Sequence, residues 1–377
     1  MADSTALDDL LGVRVDHCRA RQRRLLEEMA RRGVDQVIVT RIEHVQWLAG
    51  PRFMWYHSPC AALAADGRLT LVAPDVAPPA AAADEVVTYA SKRLSTLRND
   101  QAQASAEALR HALAGKPSPR RLGIEFSVCG PHFTAGSTAE LVDIEPDLYR
   151  LRRRKHADEL ARIRKAISAT VAMYARAREI IAPGVTEIEV FNQLQSVAVE
   201  VFGEMLTGTG NDYAVEGRRG GPPLGGRKAH AGQLYILDLG PAYRGYFADN
   251  CRTFAVDRRP TEAQLAAWQM LLPVFPHVER TVRPGASCKK LYEEAKAMLA
   301  NTRGWDFPHH LGHGIGLFPH EAPHLNPNWD DTFEEGEVFA VEPGLYAAEL
   351  NLGLRIENDY LVTAGGVELL SPIPQEL

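Results

Sequence analysis

GQLYILDLGPAYRGYFADNCRTFAV, residues 232–256, runs as an alternating strand that begins at a glycine, turns, and returns as a second strand. A turn around Tyr243–Arg244 predicts an antiparallel pair with Asp238 opposite Asp249. The construction recurs in GEVFAVEPGLYAAELNLGLRIENDYLV, residues 336–362, where a turn around Glu349 sets Glu342 roughly opposite Glu357. Like charges facing each other across strands destabilise a sheet, and buried carboxylates without partners cost more. Something positive belongs between these acids.

Upstream of each ribbon the chain repeats a second pattern. APGVTEIEVFNQL, from Ala182, parallels RPGASCKKLYEEA, from Arg283. In each, Pro-Gly ends one helix and Thr186 or Ser287 caps the next, with Val190–Phe191 and Leu291–Tyr292 on the buried face. Thr186 and Glu189 have the spacing of a capping box. The shared order of helix, Pro-Gly, helix and acid-tipped strand predicts two related α+β halves.

A single Asp or Glu is most often a surface residue. Four of them, on or beside apolar strands and paired twice over, point to a metal site. Four carboxylates balance two divalent cations, and one imidazole would complete the set. HHLGHGIGLFPHEAP, residues 309–323, lies between the two ribbons and carries four histidines. The glycines around His313 would let its backbone come close to an ion, so His313 is the expected nitrogen ligand. His310 and His324 read as ordinary histidines, whereas His309 and His320 are near enough to contact substrate. Such a centre would lower the pKa of a shared water and polarise a carbonyl, giving hydrolysis without a covalent intermediate.

The rest of the 377-residue chain sets the frame. Its net charge of -6 favours neither nucleic acid nor an anionic membrane, and no apolar run is long enough to span a bilayer. Five dispersed cysteines without CxxC spacing fit a reducing, cytoplasmic setting. The first half reads as α/β: an amphipathic helix over 15–32, then strands in GVDQVIVT and GRLTLVAP flanking a short helical stretch, and a further strand in RRLGIEFS. The basic run Arg152–Lys155 reads as a solvated linker before a long helix from about Ala157 to Ile181. The expected domains are 1–153 and 154–377.

These residues resemble the pita-bread metallopeptidase family, which includes aminopeptidase P, prolidase and methionine aminopeptidase, with creatinase as a metal-free relative. The likeness covers nearly the whole chain: RRLLEEMARRGVDQVIVTRIEHVQWLAG is similar to the creatinase-type N-terminal domain, and the chain from KHADELARIRKA onward to the catalytic domain. The resemblance implies an α/β N-terminal domain followed by an α+β pita-bread domain with an internal pseudo-twofold repeat. It implies five metal ligands, Asp238, Asp249, His313, Glu342 and Glu357, with Asp249 and Glu357 bridging two divalent ions. Manganese is expected, with zinc, cobalt or iron as alternatives. It also implies a substrate-facing role for His320 and, from the aminopeptidase P branch, roles for His309, Tyr346 and Arg355. A homodimer is implied as well, and Trp55, Tyr56 and His57 are candidate pocket residues, their alternative being buried aromatics.

The chain departs from that pattern at one place. Family hydrolases carry a further histidine before the first metal-binding strand, and around Gly221, where spacing to Asp238 would put it, only Gly and Pro occur. His230 is the nearest histidine, and Tyr213, Arg218 or Arg219 are candidate replacements. The leading expectation is an Xaa-Pro dipeptidase or aminopeptidase acting through a metal-bridging hydroxide, with Glu342 or Glu357 relaying the proton. The alternatives are a hydrolase of a small non-peptide amide or cyclic amidine, and a non-catalytic binding protein.

Overall fold

The computed structural model describes residues 9–215 and 220–377. The chain divides into two compact units between Arg152 and Arg153, one residue before the expected boundary.

The first unit opens with helix α1 (Val15–Arg32), which buries Cys18, Leu25 and Met29 and ends at Gly33 in the left-handed region, φ 63°. Strand β1 (Gln36–Val39), helix α2 (Ile42–Ala49), strands β2 (Cys60–Ala64), β3 (Leu69–Pro74) and β4 (Glu85–Tyr89), and a short ribbon β5 (Lys92–Arg93) and β6 (Thr96–Leu97) follow. Helix α3 (Gln101–Ala112), strands β7 (Arg121–Ile124) and β8 (Glu140–Asp143) and helix α4 (Glu145–Arg152) complete it. The main sheet has the order β4-β3-β2-β1-β7-β8 and is mixed: β1–β2 and β2–β3 are antiparallel, the other pairs parallel. The stretch between GVDQVIVT and GRLTLVAP is more than a short helix, since it also holds the central strand β2. Trp55 is 82% exposed, so it is not a buried aromatic, and Tyr56 lies edge-on to both Trp55 and His57.

In the second unit helices α5 (Ala157–Ile180) and α6 (Glu187–Phe202) lead into strands β9 (Gly208–Ala214), β10 (Leu234–Tyr243), β11 (Tyr246–Phe247) and β12 (Asn250–Ala255). Helices α7 (Glu262–Leu271), α8 (Val274–Thr281) and α9 (Cys288–Met298) then precede β13 (Gly312–Gly314), β14 (Glu321–Leu325), β15 (Val338–Val341), β16 (Gly344–Leu345), β17 (Leu354–Arg355), β18 (Asn358–Thr363) and β19 (Gly366–Leu369). The repeat is visible in local detail. Gly184 and Gly285 both have positive φ, 98° and 87°, and their N–H groups donate to Ala229 O and Phe333 O. The caps then form equivalent antiparallel bridges, Thr186 with Lys228 and Ser287 with Thr332. The Thr186 hydroxyl accepts from Glu189 N at 3.2 Å while Glu189 Oε2 accepts from Thr186 N at 2.8 Å. Thr186→Ala should therefore lower stability by about 1 kcal/mol, read as an earlier urea midpoint at unchanged slope. Val190, Leu291 and Tyr292 are buried as their position after the cap requires.

The basic run is not a solvated linker. Arg152 and Arg153 are buried, and Arg153 donates to Glu337 Oε1 and to Thr332 O. Lys155 Nζ lies 3.5 Å from Glu321 Oε2, both side chains being enclosed. Among the described residues no helix is long and apolar enough to cross a membrane.

Candidate functional site

The β10–β11 hairpin closes on Arg244 and Gly245, both at positive φ, 46° and 88°, as a two-residue hairpin turn requires. This turn lies one residue later than expected, so the strand register moves by two. Asp238 faces Cys251, and Leu239 faces Asn250. Asp249, just before β12, is therefore a diagonal neighbour of Asp238 and not its direct opposite. A slip of two keeps both carboxylates on one face, where a slip of one would have separated them. In the second ribbon Val341 pairs with Asn358, and one further step of that register puts Glu342 across from Glu357.

The ribbons are stitched to each other. Glu357 N donates to Cys251 O at 2.9 Å, and the Thr253 hydroxyl both accepts from Arg355 N and donates to Arg355 O, each at 3.0 Å. The buried Arg252 guanidinium donates to Glu357 O at 2.6 Å and to Asn358 Oδ1 at 2.8 Å. These bonds hold the two acid-bearing ends together despite their repulsion.

His313 enters from β13, which pairs with β14 on one side and β15 on the other. Its flanking glycines admit these neighbours: a Cβ on Gly312 would lie 1.9 Å from Ala340 O, and one on Gly314 2.1 Å from Ala322 O. His313 Nδ1–H donates to Gly314 O at 3.1 Å, which leaves Nε2 facing Glu342 Oε1 at 3.4 Å and Asp249 Oδ2 at 3.7 Å.

Three overlapping groups have donor atoms mutually within 4.8 Å: Asp238, Asp249 and Glu357; His313, Glu342 and Glu357; and Asp249, His313 and His320. Burial, then the charges of Asp238, Asp359 and Glu342, push the Asp249 carboxyl well above its ordinary range. Burial, followed by Asp249, Asp238 and Glu342, does the same to Glu357, whose Oε2 is buried and without a hydrogen-bond partner. Burial raises Asp238 to about 6 against the pull of Arg355. Burial also acts to raise Glu342, but His313, His310 and Arg355 outweigh it and hold that carboxyl low. Hard oxygen donors, one imidazole and an orphaned carboxylate oxygen fit divalent cations.

The cluster lines a cavity of about 290 Å³. Its wall also carries His310, Pro319 and His320, and His310 Nδ1 lies 3.2 Å from Glu342 Oε1, so this histidine belongs to the pocket that sequence reasoning denied it. His324 instead pairs with Asp331 at 2.8 Å. The His320 ring stacks on His313, centroids 3.6 Å apart, and desolvation together with His313 holds its pKa below the usual histidine range. Arg355, Tyr346 and His309 form a directed chain: Arg355 Nη1 donates to Tyr346 OH at 3.3 Å, and the hydroxyl to His309 Nε2 at 3.1 Å. His309 Nδ1–H then donates to His310 O at 2.8 Å.

Two candidates for the absent histidine lie elsewhere. Tyr213 is buried on the opposite face of β9, its ring 5.4 Å from Phe191, and His230 is exposed and off the cavity wall. Arg218 and Arg219 lie outside the described residues. Sequence reasoning missed Asp212. It faces Asp238 across the β9–β10 register and shares Arg355 Nη2 with it, at 2.7 and 2.6 Å. Its other oxygen accepts the Gly221 N–H at 2.6 Å, so a backbone-anchored carboxylate stands beside the glycine where the histidine was sought.

The chain has counterparts among known proteins. An uncharacterized peptidase from Staphylococcus epidermidis is 31% identical over 235 residues, a stretch that spans 61% of this chain and 65% of that relative. A Staphylococcus aureus relative is equally similar over the same length. The Xaa-Pro dipeptidase structure from Bacillus anthracis aligns with TM-score 0.81 at 23% identity, covering 96% of this chain and 99% of that one. The Pyrococcus horikoshii prolidase aligns with TM-score 0.80 at 23% identity, over 95% and 99%. These structures establish the pita-bread fold. Residues 21–154 match the Creatinase/Prolidase N-terminal domain, and residues 161–364, more than half of the chain, match metallopeptidase family M24. The chain belongs to metallopeptidase family M24.

Proposed function

We propose that this protein is a metal-dependent hydrolase of Xaa-Pro amide bonds, a dipeptidase or aminopeptidase, with Asp238, Asp249, His313, Glu342 and Glu357 holding two divalent ions and manganese the first choice. The observation that carries the reading is the convergence of these five donors on one cavity, with His313 Nε2 and an unpartnered Glu357 oxygen turned toward their neighbours. The names of the structural neighbours, Xaa-Pro dipeptidase and prolidase, support the substrate class. When bound, such ions lower the pKa of water and polarise the scissile carbonyl.

The chain's own groups do the rest. Hydrolysis forms a C–O bond between water and the carbonyl carbon and breaks the C–N bond. Glu342 or Glu357 accepts the proton released by the water and returns it to the departing nitrogen. His320, on the open side of His313, acts as a neutral hydrogen-bonding group toward the substrate carbonyl or leaving nitrogen. Tyr346 and His309, chained behind Arg355, keep the guanidinium aimed at Asp238.

Protein loaded with Mn²⁺, Co²⁺ or Zn²⁺ should release the first amino acid from members of an Xaa-Pro peptide panel, followed by chromatography. One observation favours the small-amide alternative, namely that the position expected for a histidine holds Gly221 bonded to Asp212. Silence across the panel with metal demonstrably bound would select that alternative.

A further inference from the structure

Asp212 lies on β9 directly across from Asp238. One oxygen accepts from Arg355 and the other from Gly221 N, which uses two of a carboxylate's roughly four lone-pair directions. Its side chain is 27% exposed against 15% for Asp238, and it borders the cavity. The wall beside it is bare backbone. Gly210 and Gly240 face each other in the same register, and a Cβ on Gly210 would meet only Pro319, at 4.0 Å. Arg355 is not held by Asp212 alone, because it also donates to Asp238 and Tyr346. The Gly220 backbone packs against the Asp212 carboxylate, and the space left beside it is that over Gly210. An acceptor-only carboxylate with spare capacity therefore borders the cavity within one strand spacing of the proposed metal ligands.

We propose that Asp212 is a specificity-determining residue whose carboxylate receives the free α-ammonium group of the substrate's first residue. The inference rests on the peptidase reading above. An ammonium brings three donors and a positive charge to an oxygen that can accept them. An N-acylated end brings a carbonyl oxygen and no charge, and meets the carboxylate unfavourably. The amino end of a substrate is thereby directed toward β9, with its first carbonyl left toward Asp249, His313 and Glu342.

The test uses two probes that contain no Xaa-Pro bond, alaninamide and N-acetylalaninamide, titrated calorimetrically into the metal-loaded full chain. Wild-type protein should bind alaninamide and prefer it to the acetylated probe. Asp212→Asn should weaken alaninamide binding about tenfold or more while leaving N-acetylalaninamide unchanged. Wild-type affinity in the variant, equal losses for both probes, or no preference in the wild type would each overturn the proposal. If the Asn variant does not fold, Asp212→Ser is subjected to the same comparison. Because neither probe needs to be cleaved, failure of the Xaa-Pro panel and failure of this inference are read separately.

Discussion

Asp249→Ala should reduce bound metal from two equivalents to one or fewer per chain, measured on dialysed protein, and lower kcat/KM by more than about a hundredfold. Loss of a supporting hydrogen bond to a metal ligand alone costs about 10–100-fold, and removal of a ligand exceeds that. The same change should act oppositely on the metal-free fold. Asp249 is crowded by Asp238, Asp359 and Glu342 in a buried setting, and its removal relieves repulsion that only cations otherwise offset. The metal-free variant should therefore melt above metal-free wild type, while the rise in Tm on adding Mn²⁺ should shrink, since ligand-linked stabilisation follows affinity for the folded state. A variant with wild-type metal content and an unchanged Mn²⁺-induced shift would remove Asp249 from the ligand set.

Arg355→Met should be nearly as severe, for a different reason. The guanidinium is buried and is the shared donor to Asp212 and Asp238, which face each other in register. Breaking a buried pair by deleting one partner costs about 3–5 kcal/mol, because an uncompensated charge remains. Here two carboxylates are left. Urea unfolding should show that loss, and adding Asp212→Asn should return part of it, giving a coupling of about 1–3 kcal/mol in a double-mutant cycle. Strict additivity would show that the shared donor is not what stabilises this register. Arg355→Lys keeps the charge but not the planar fork, and should restore stability better than activity.

How much of this was legible in sequence depended on range. The caps at Thr186 and Ser287, and the glycines before them, are local devices, so the repeat could be read from short segments. The acid-tipped strands were legible because alternation fixes which face a side chain occupies. The register of Asp238 was not, since it hangs on whether the turn centres on Tyr243–Arg244 or on Arg244–Gly245. Asp212 was missed because GTGNDYA lacks the apolar alternation of a strand; β10 recruits it by backbone pairing, and its partner Arg355 comes from the other ribbon. The same holds for Arg153 and Lys155. A run of basic residues looks solvated when its acidic partners, Glu337 and Glu321, are far along the chain. In the first unit β2 and α3 were missed: CAALA and QAQASAEALRHA are alanine-rich.

The buried attachment of Arg153 and Lys155 also bears on where this chain can be cut. The M24 match begins at residue 161, and a catalytic half excised there would look complete by homology. It would nonetheless discard both cations, which pair with the enclosed carboxylates of Glu337 and Glu321. An excision that starts before Arg153 keeps those electrostatic anchors, so the smallest autonomous piece of the enzyme is longer than its recognisable domain.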